Sequence, residues 1–488
     1  MINVYNKLIN TDLTAFLIGL LTDIIVIYET EVCGMSTINS HINEQDIKKL
    51  CDHIRKYNYI DSVDFERYNV KRGLRNSDGT GVMAGITNVC AVEGYYIDDG
   101  EKVPREGRLL FRGINMEDIV GACIQEDRFG FEEIAYLLIF GTLPDKEQLD
   151  DFCALLSACR ELPEDFTEDM IMKAPSPDIM NKLSRSILAL YSYDSNPDDT
   201  SIENVLRQCL HLIAQLPTIM VYAYQVKRRH YYHKSMYIHQ MKPEHRTAQT
   251  ILRSIRADKV FTDREAKLLD ICLMVHAEHG GGNNSTFANR VLTSSGTDTY
   301  ASMAASVGAL KGPKHGGANI KVSQMVGFIK DGVSDITDEG QVADFLRKII
   351  RKEAGDGSGL IYGMGHAVYT LSDPRAKILK AQAGEFAAGT EFEDEFKLLG
   401  LIERLTPEIF SSHKSSEKSI CANVDLYSGI IYKMLDIPPD LFTPIFTIAR
   451  IAGWSAHRIE ELLTGGRIIR PAYKSNTIKK DYIPINDR

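Results

Sequence analysis

The sequence predicts a mainly α-helical protein: a large helical domain with a smaller helical domain inserted into it, and a minor β region near the N-terminus. Three observations predict it. Apolar residues recur at helical spacing from Met116 to Leu463, through most of the 488 residues. β-rich composition is confined to the stretch between about residues 82 and 111. Glycine and polar density rises at 279–285, 312–319 and 355–365, and these runs flank a stretch that leaves the main helical body and returns to it. The expected divisions are a leader outside the core at 1–34, a first part of the large domain at 35–318, the small domain at 319–430 and the C-terminal part of the large domain at 431–488.

Within the leader, residues 13–28 are apolar but include Thr22 and Asp23. The run is shorter than the ~20 residues that a spanning helix needs. It has neither a positive cluster nor a small-residue cleavage site, which disfavours a secretory signal. Met35-Ser36-Thr37-Ile38 opens an ordinary N-terminus, so the expectation is a native start at Met35, with 1–34 an upstream translation artefact or a peripheral helix. Residues 45–59 are amphipathic, and 63–75 polar and basic. Strands are expected at 82–92, 95–97 and 108–111, with turns at Asp78-Gly79 and Asp98-Asp99-Gly100.

Helices follow from Met116. Residues 131–140 end at Gly141, a C-terminal stop, and Pro144 begins the next element. Helical periodicity continues through 148–160, 176–191, 202–227 and 263–275, then 320–351, a further stretch to Tyr432 and a closing helix at 456–463. The string Lys227-Arg228-Arg229-His230 reads as a solvated face or a crossover between helices rather than a nucleic-acid patch, because the net charge is −10. That charge argues against a general binder of nucleic acid or of acidic membranes; an anionic ligand would need arginines concentrated locally. Hydrophobic residues at 44% and charged ones at 25% mark an ordinary folded chain. Nine cysteines, an odd number with no Cys-x-x-Cys pair, lie mostly in apolar runs, the pattern of buried free thiols in a reducing cytoplasm.

The ionisable residues of interest stand in glycine-rich or loop contexts at the ends of apolar runs. Gly363-Met364-Gly365-His366 puts a histidine in a tight bend nine residues before Arg375, which sits near a helix start. A donor fork beside a titratable ring suits a carboxylate next to a carbonyl; a structural histidine in a glycine turn is the plain alternative. Asp425 follows Asn423-Val424 and precedes an apolar run, so it is either a partly buried base or an N-cap. Arg450 lies in a run fit for the core, 445–453, and needs an anionic partner, whether substrate or structural salt bridge. His276 and His279 with Glu278 resemble part of a zinc site but lack the His-Glu-x-x-His spacing, so no metal is expected. Gly363-x-Gly365 and Gly355-x-Gly357-x-Gly359 lack the strand and the acidic residue of a dinucleotide loop.

Six segments in order, HAEHGGGNNS, GPKHGGAN, GMGHAVYTLSDPR, NVDLYSG, FTIARIAGWSAH and RIIRPAY, together with GRLLFRGI and FEEIAYLLIFGTLP, resemble the citrate synthase family from about Gly73 to Tyr473. The resemblance implies that family's nearly all-α fold, with a small domain closing over oxaloacetate, and the condensation of acetyl-CoA with oxaloacetate and water to citrate and CoA. It implies His315, His366 and Asp425 as catalytic residues: Asp425 the base, His315 the donor to the thioester oxygen, His366 the group polarising the ketone. His279, Arg375, Arg450 and Arg470 are implied to hold oxaloacetate, with Arg470 reaching across a homodimer interface. Ser285 is implied to orient His315, Phe446 to pack by the substrate, and Asn423, Gly363 and Gly365 to lie along CoA. Acetyl-CoA is then a substrate, and neither cofactor nor metal is implied. Thr370-Leu371-Ser372 departs from the basic residue that many relatives carry there for CoA phosphate, and Lys414 or Lys418 is the expected replacement. The alternatives are a 2-methylcitrate synthase using propionyl-CoA, a catalytically silent CoA-binding or regulatory protein, and a zinc hydrolase.

Overall fold

The structure is a computed structural model that describes residues 48, 51–52, 54–55, 59–76, 79–414, 420–477 and 479–487. The leader at 1–34, most of the expected 45–59 segment, Asp78 of the first expected turn and Lys418 lie outside the described residues. The chain divides after Gly73. In the first unit, the polar stretch holds a short helix, α1 (Ser62–Arg67), whose N-terminus is capped by Asp61 accepting from Val63 N at 3.1 Å.

The second unit opens with a three-stranded antiparallel sheet, β1 (Cys90–Asp98), β2 (Glu101–Phe111) and β3 (Ile114–Asn115), in that order. Asp99 and Gly100, at φ 45° and 84°, form the expected hairpin turn. Two expectations are corrected. Residues 82–89 are not a strand: Met83 and Ile86 are 88% and 92% exposed, and β propensity expresses itself only where a side chain has a surface to pack on. The second strand starts at Glu101 rather than 108 and runs through Pro104, opposite Tyr95. Pro104 is tolerated because β3 pairs only with Leu110 and Phe111, so no ladder on that side needs its missing N–H.

The helices are α2 (Met116–Gln125), α3 (Phe131–Phe140), α4 (Lys146–Ala158), α5 (Ile179–Leu190), α6 (Ile202–Tyr232), α7 (Thr247–Ile255), α8 (Asp263–His276), α9 (Asn284–Ser294), α10 (Thr299–Lys311), α11 (Ala318–Gly332), α12 (Glu339–Ile350), α13 (Pro374–Ala387), α14 (Glu393–Lys414), α15 (Asp425–Met434) and α16 (Phe442–Thr464). Gly141 ends α3 in the left-handed region at φ 87°. The start of α3 is held from across the core, where buried Asp270 of α8 accepts from Gly130 N and Phe131 N at 2.7 and 3.3 Å. The expected 320–351 helix is two helices, broken at 333–338.

Helix α6 continues past Lys227, so the basic string forms its last turns, where Arg229 and His230 meet the negative end of the helix dipole, and Lys227 pairs with Asp440 at 2.6 Å. This helix is long and apolar enough to cross a membrane by length and composition, yet 89% of its apolar window is buried inside the protein. The closing helix is the largest correction. α16 starts at Phe442, not 456, because Pro444 falls in its first turn, where a missing N–H costs nothing. From Phe442 to Arg458 every residue of α16 is buried, and α16 packs against α3, α6, α8, α9 and α10.

Candidate active site

The turn that carries His366 is held from two sides. On one side it is clasped to the segment leading into α15. Gly365 N donates to Cys421 O at 2.8 Å, Asn423 N to Gly363 O at 2.9 Å and the Asn423 amide to Gly365 O at 2.9 Å, around an isolated bridge between Met364 and Ala422. Gly363 has φ 82°, and a Cβ there would lie 2.9 Å from Leu426 Cδ1, so only glycine admits the start of α15 at this distance. On the other side lies the β hairpin. A Cβ on Gly94 would stand 2.5 Å from Val368 O and one on Gly107 2.1 Å from Ser372 O. Gly107 N donates to Ser372 Oγ, and Thr370 Oγ1 donates to Gly94 O, both at 3.2 Å. Thr370, where the sequence departs from the family, thus fastens the loop to the sheet.

Within this frame the expected oxaloacetate residues gather. His366 stacks on Tyr369 at 4.6 Å between centroids and meets His279 edge-on at 5.0 Å. Its Nδ1 accepts from Val368 N and Tyr369 N, both at 3.1 Å. The proton of the neutral ring must therefore sit on Nε2. Burial pushes the His366 pKa down to about 4, with Arg375 adding to the effect, so the ring is neutral at pH 7. Burial likewise holds His279 well below the usual range, and its Nε2 has no hydrogen-bond partner among the described residues. Asp373 caps α13 and pairs with Arg375 through Nε–Oδ1 at 3.0 Å and Nη2–Oδ2 at 2.8 Å.

Arg450 is fully buried at the middle of α16, over the ring of Phe446 at 4.7 Å. Its Nε donates to His276 O at 2.7 Å, while Nη1 and Nη2 have no hydrogen-bond partner among the described residues. Burial pushes its pKa down to about 10, against the opposing pull of Glu278.

His315 lies in the turn between α10 and α11, and burial pushes it down to about 4, so it too is neutral at pH 7. Its Nε2 is 3.0 Å from Asn283 Oδ1 and 3.2 Å from Ser285 Oγ, and Ser285 Oγ accepts from Trp454 Nε1 at 3.3 Å. Asp425 is the first residue of α15 and makes no cap with its side chain. Burial raises its pKa from 3.8 to about 7, against the lowering effect of Arg375. Arg470 is exposed on the segment after α16, and no contact among the described residues joins it to the cluster. Lys414 ends α14, and Lys418 lies outside the described residues.

Residues 78–472 match the family model described as the citrate synthase C-terminal domain. The chain belongs to the citrate synthase family. It is 30% identical over 411 residues to the citrate synthase of Synechocystis sp., covering 84% of this chain and 92% of that one. Identity to citrate synthase 1 of Mycobacterium tuberculosis is 32% over 429 residues, 85% and 92% of the two chains. To 2-methylcitrate synthase 1 of Corynebacterium glutamicum it is 30% over 431 residues, 86% and 98%. The fold matches a crystal structure of citrate synthase from Thermotoga maritima with a TM-score of 0.67 at 27% identity, over 86% of this chain and 99% of that one. The enzyme class follows: a transferase that converts an acyl group to an alkyl group on transfer.

Some residues of this citrate synthase family member's cluster are not among the sequence candidates. Asn283 touches His315, Tyr369 stacks on His366 and Asp373 fixes Arg375. The signals were present: Asn283 stands where a helix N-cap is due, and Asp373-Pro374 is a helix-start pair. Among the described residues no three His, Cys, Asp or Glu side chains are grouped to hold a metal ion.

Proposed function

We propose that the enzyme condenses acetyl-CoA with oxaloacetate and water to give citrate and CoA. The observation that carries this is the backbone clasp that sets Asp425, a carboxylate with a pKa raised to about 7, beside the turn of a neutral, Nε2-protonated His366. A base poised near neutrality and a fixed donor are what proton abstraction next to a carbonyl requires. Arg450, with two free nitrogens, and Arg375 take the carboxylates of oxaloacetate. His279 adds a contact, and Phe446 packs beside the ligand.

Asp425 removes a proton from the methyl group of acetyl-CoA. His315 stabilises the resulting enol or enolate by donating from Nδ1, which requires its Nε2 to be an acceptor. In the structure Nε2 also faces the acceptor Asn283 Oδ1 at 3.0 Å, so this tautomer requires the Ser285 hydroxyl, which already accepts from Trp454, to turn its proton from Asn283 to His315 Nε2 as the ring moves off Asn283. The nucleophilic carbon attacks the ketone of oxaloacetate while His366 Nε2–H polarises its oxygen, and water then hydrolyses citryl-CoA. Gly363, Gly365 and Asn423 line the acyl-CoA side, with Lys418 meeting the CoA phosphate. Residues 319–430 act as the small closing domain, Arg470 completes the site of a partner in a homodimer, and the free cysteines fit a cytoplasmic enzyme.

Propionyl-CoA is the second reading. It rests on the Corynebacterium glutamicum relative, which is as similar as the Synechocystis one, and one extra methyl changes pocket binding by only ~1–3 kcal/mol. CoA release from oxaloacetate with each acyl-CoA, with product identification, tests both; a higher kcat/KM for propionyl-CoA overturns the choice of citrate. Asp425→Asn is expected to lose at least ~10²-fold in kcat, and near-normal turnover refutes the base. The same variant has a stability signature. With its folded pKa raised above the ordinary value, Asp425 contributes stability that is present below the unfolded pKa of 3.8 and lost as pH rises through about 7. Asp425→Asn therefore melts higher than wild type at pH 8.

A further inference from the structure

One side of α16 carries Phe446, Arg450, Gly453, His457 and the Glu460–Glu461 pair, at spacings that stack them along a single face. Opposite this face lies Glu278, next in the chain to His279 and 0% exposed. Its carboxylate occupies the notch left by Gly453, where a Cβ would be 2.0 Å from Oε2. Neither Glu278 oxygen has a well-aligned hydrogen bond among the described residues, yet His457 Nε2 stands 3.1 Å from Oε1. A buried carboxylate in this position is tolerable only with cations or oriented donors around it.

The donors are set from the far end. Arg290 of α9 donates to His457 Nδ1 through Nε at 3.2 Å and Nη2 at 2.6 Å. An arginine can only donate, so His457 Nδ1 is unprotonated and the ring proton sits on Nε2, facing Glu278. Arg290 is itself held by Glu461 at 2.7 Å and by Glu460, which also accepts from Thr87 Oγ1 and Asn88 N at 2.7 Å. A polar chain therefore runs from the segment before β1 to Glu278, which lies in the Gly453 notch one turn of α16 from Arg450 and acts on its guanidinium through space.

We infer that Glu278, with its tautomer-fixed partner His457, is a positioning residue that keeps Arg450 charged and its two free nitrogens turned toward the oxaloacetate carboxylates. The inference rests on the proposed function. Of the negative groups that act on Arg450, Glu278 acts most strongly, ahead of Cys90 and Asp425; Nε is taken by His276 O, and Nη1 and Nη2 have no acceptor among the described residues. Burial works against the ionised form of Glu278, but His457 and Arg450 outweigh it and hold its carboxyl below the usual range.

The test measures oxaloacetate binding by calorimetry and both KM values by CoA release for wild type, Glu278→Gln, Glu278→Asp, His457→Gln and the Glu278→Gln/His457→Gln pair. Glu278→Gln should weaken oxaloacetate binding by about tenfold or more, the order expected for losing one partner of a buried charge pair. The acetyl-CoA KM should stay within about twofold, Glu278→Asp should recover part of the loss, and the double variant should bind no worse than Glu278→Gln alone. Wild-type binding with an unaltered oxaloacetate Kd in Glu278→Gln overturns this inference and leaves the proposed function standing. So does an equal rise in both KM values, which marks a merely structural role. If Glu278→Gln does not fold, His457→Gln decides: an oxaloacetate Kd unchanged from wild type overturns the inference, and a weakened one with the acetyl-CoA KM preserved supports it. A wild-type protein that binds no oxaloacetate overturns the proposed function and this inference with it.

Discussion

Two fully buried arginines stand about two turns apart on α16, and their surroundings differ. Arg458, toward the end of the helix, donates through Nε to Thr299 Oγ1 at 3.1 Å, through Nη1 to Thr293 Oγ1 at 3.0 Å and through Nη2 to Thr297 O at 2.9 Å. Arg450, at the middle, donates to one carbonyl, and its other two nitrogens have no partner among the described residues. Burying a guanidinium costs the protein the same hydration in both places. Among the described residues only Arg458 recovers it in full, so Arg458 belongs to the architecture, while Arg450 keeps two donors for the anion proposed as its ligand. Burial alone therefore does not mark a functional arginine. The count of unmet donors does.

The largest expected effect is that of Arg450→Leu, which should raise the oxaloacetate KM by about 10²-fold with the acetyl-CoA KM little changed. Steady-state kinetics checks it, and an unchanged oxaloacetate KM would erase the contrast. Arg458→Leu should do the reverse. It leaves two threonine hydroxyls and a carbonyl short of a donor, and should cost about 2–4 kcal/mol in denaturant unfolding without altering either KM beyond about twofold.

The smallest effect sharpens the comparison further. Burial raises the Asp425 pKa to about 7, and Arg375 and Arg450 both act to lower it. As the proposed base, Asp425 must be ionised, so activity is expected to fall as pH drops through about 7. Removing the positive charge of Arg450 should shift that acid limb to higher pH by a few tenths of a unit, as expected for loss of one nearby charge. The limb of Arg458→Leu should coincide with that of wild type. A pH series of kcat on the three proteins reads the difference.

The helical character and most helix positions are legible in the sequence because apolar spacing and capping residues act locally; α3 with its Gly141 stop appears at the expected residues. The start of α16 is not, since Pro444 and Gly453 read as breakers. One is harmless in the first turn, and the other makes room for Glu278, which lies far away in sequence. For the site, glycine-flanked His366, Asp425 and Arg450 stand out, and the structure brings them together with His279, Arg375 and Phe446. The β hairpin gave no such signal. Its role depends on Gly94 and Gly107 touching the 368–372 backbone, a contact between segments more than 250 residues apart in number. Residues 82–89 carry strand-like composition but meet other backbone at their two ends, through Val82 N to Leu74 O and Arg112 N to Val89 O, without forming a strand, and composition cannot say which apolar run finds a partner along its length.

The clasp between the 363–365 turn and the 421–423 segment has a mechanical consequence. Hydrogen bonds between the two backbones tie His366 and Asp425 to one another, whereas His279 and Arg450 hang from α8 and α16. A rearrangement that brings the site together can thus alter the gap between these two pairs but not the gap within the clasped pair. With the roles proposed for them, the base and the group that polarises the ketone keep one relation to each other, set by the backbone rather than by the ligand.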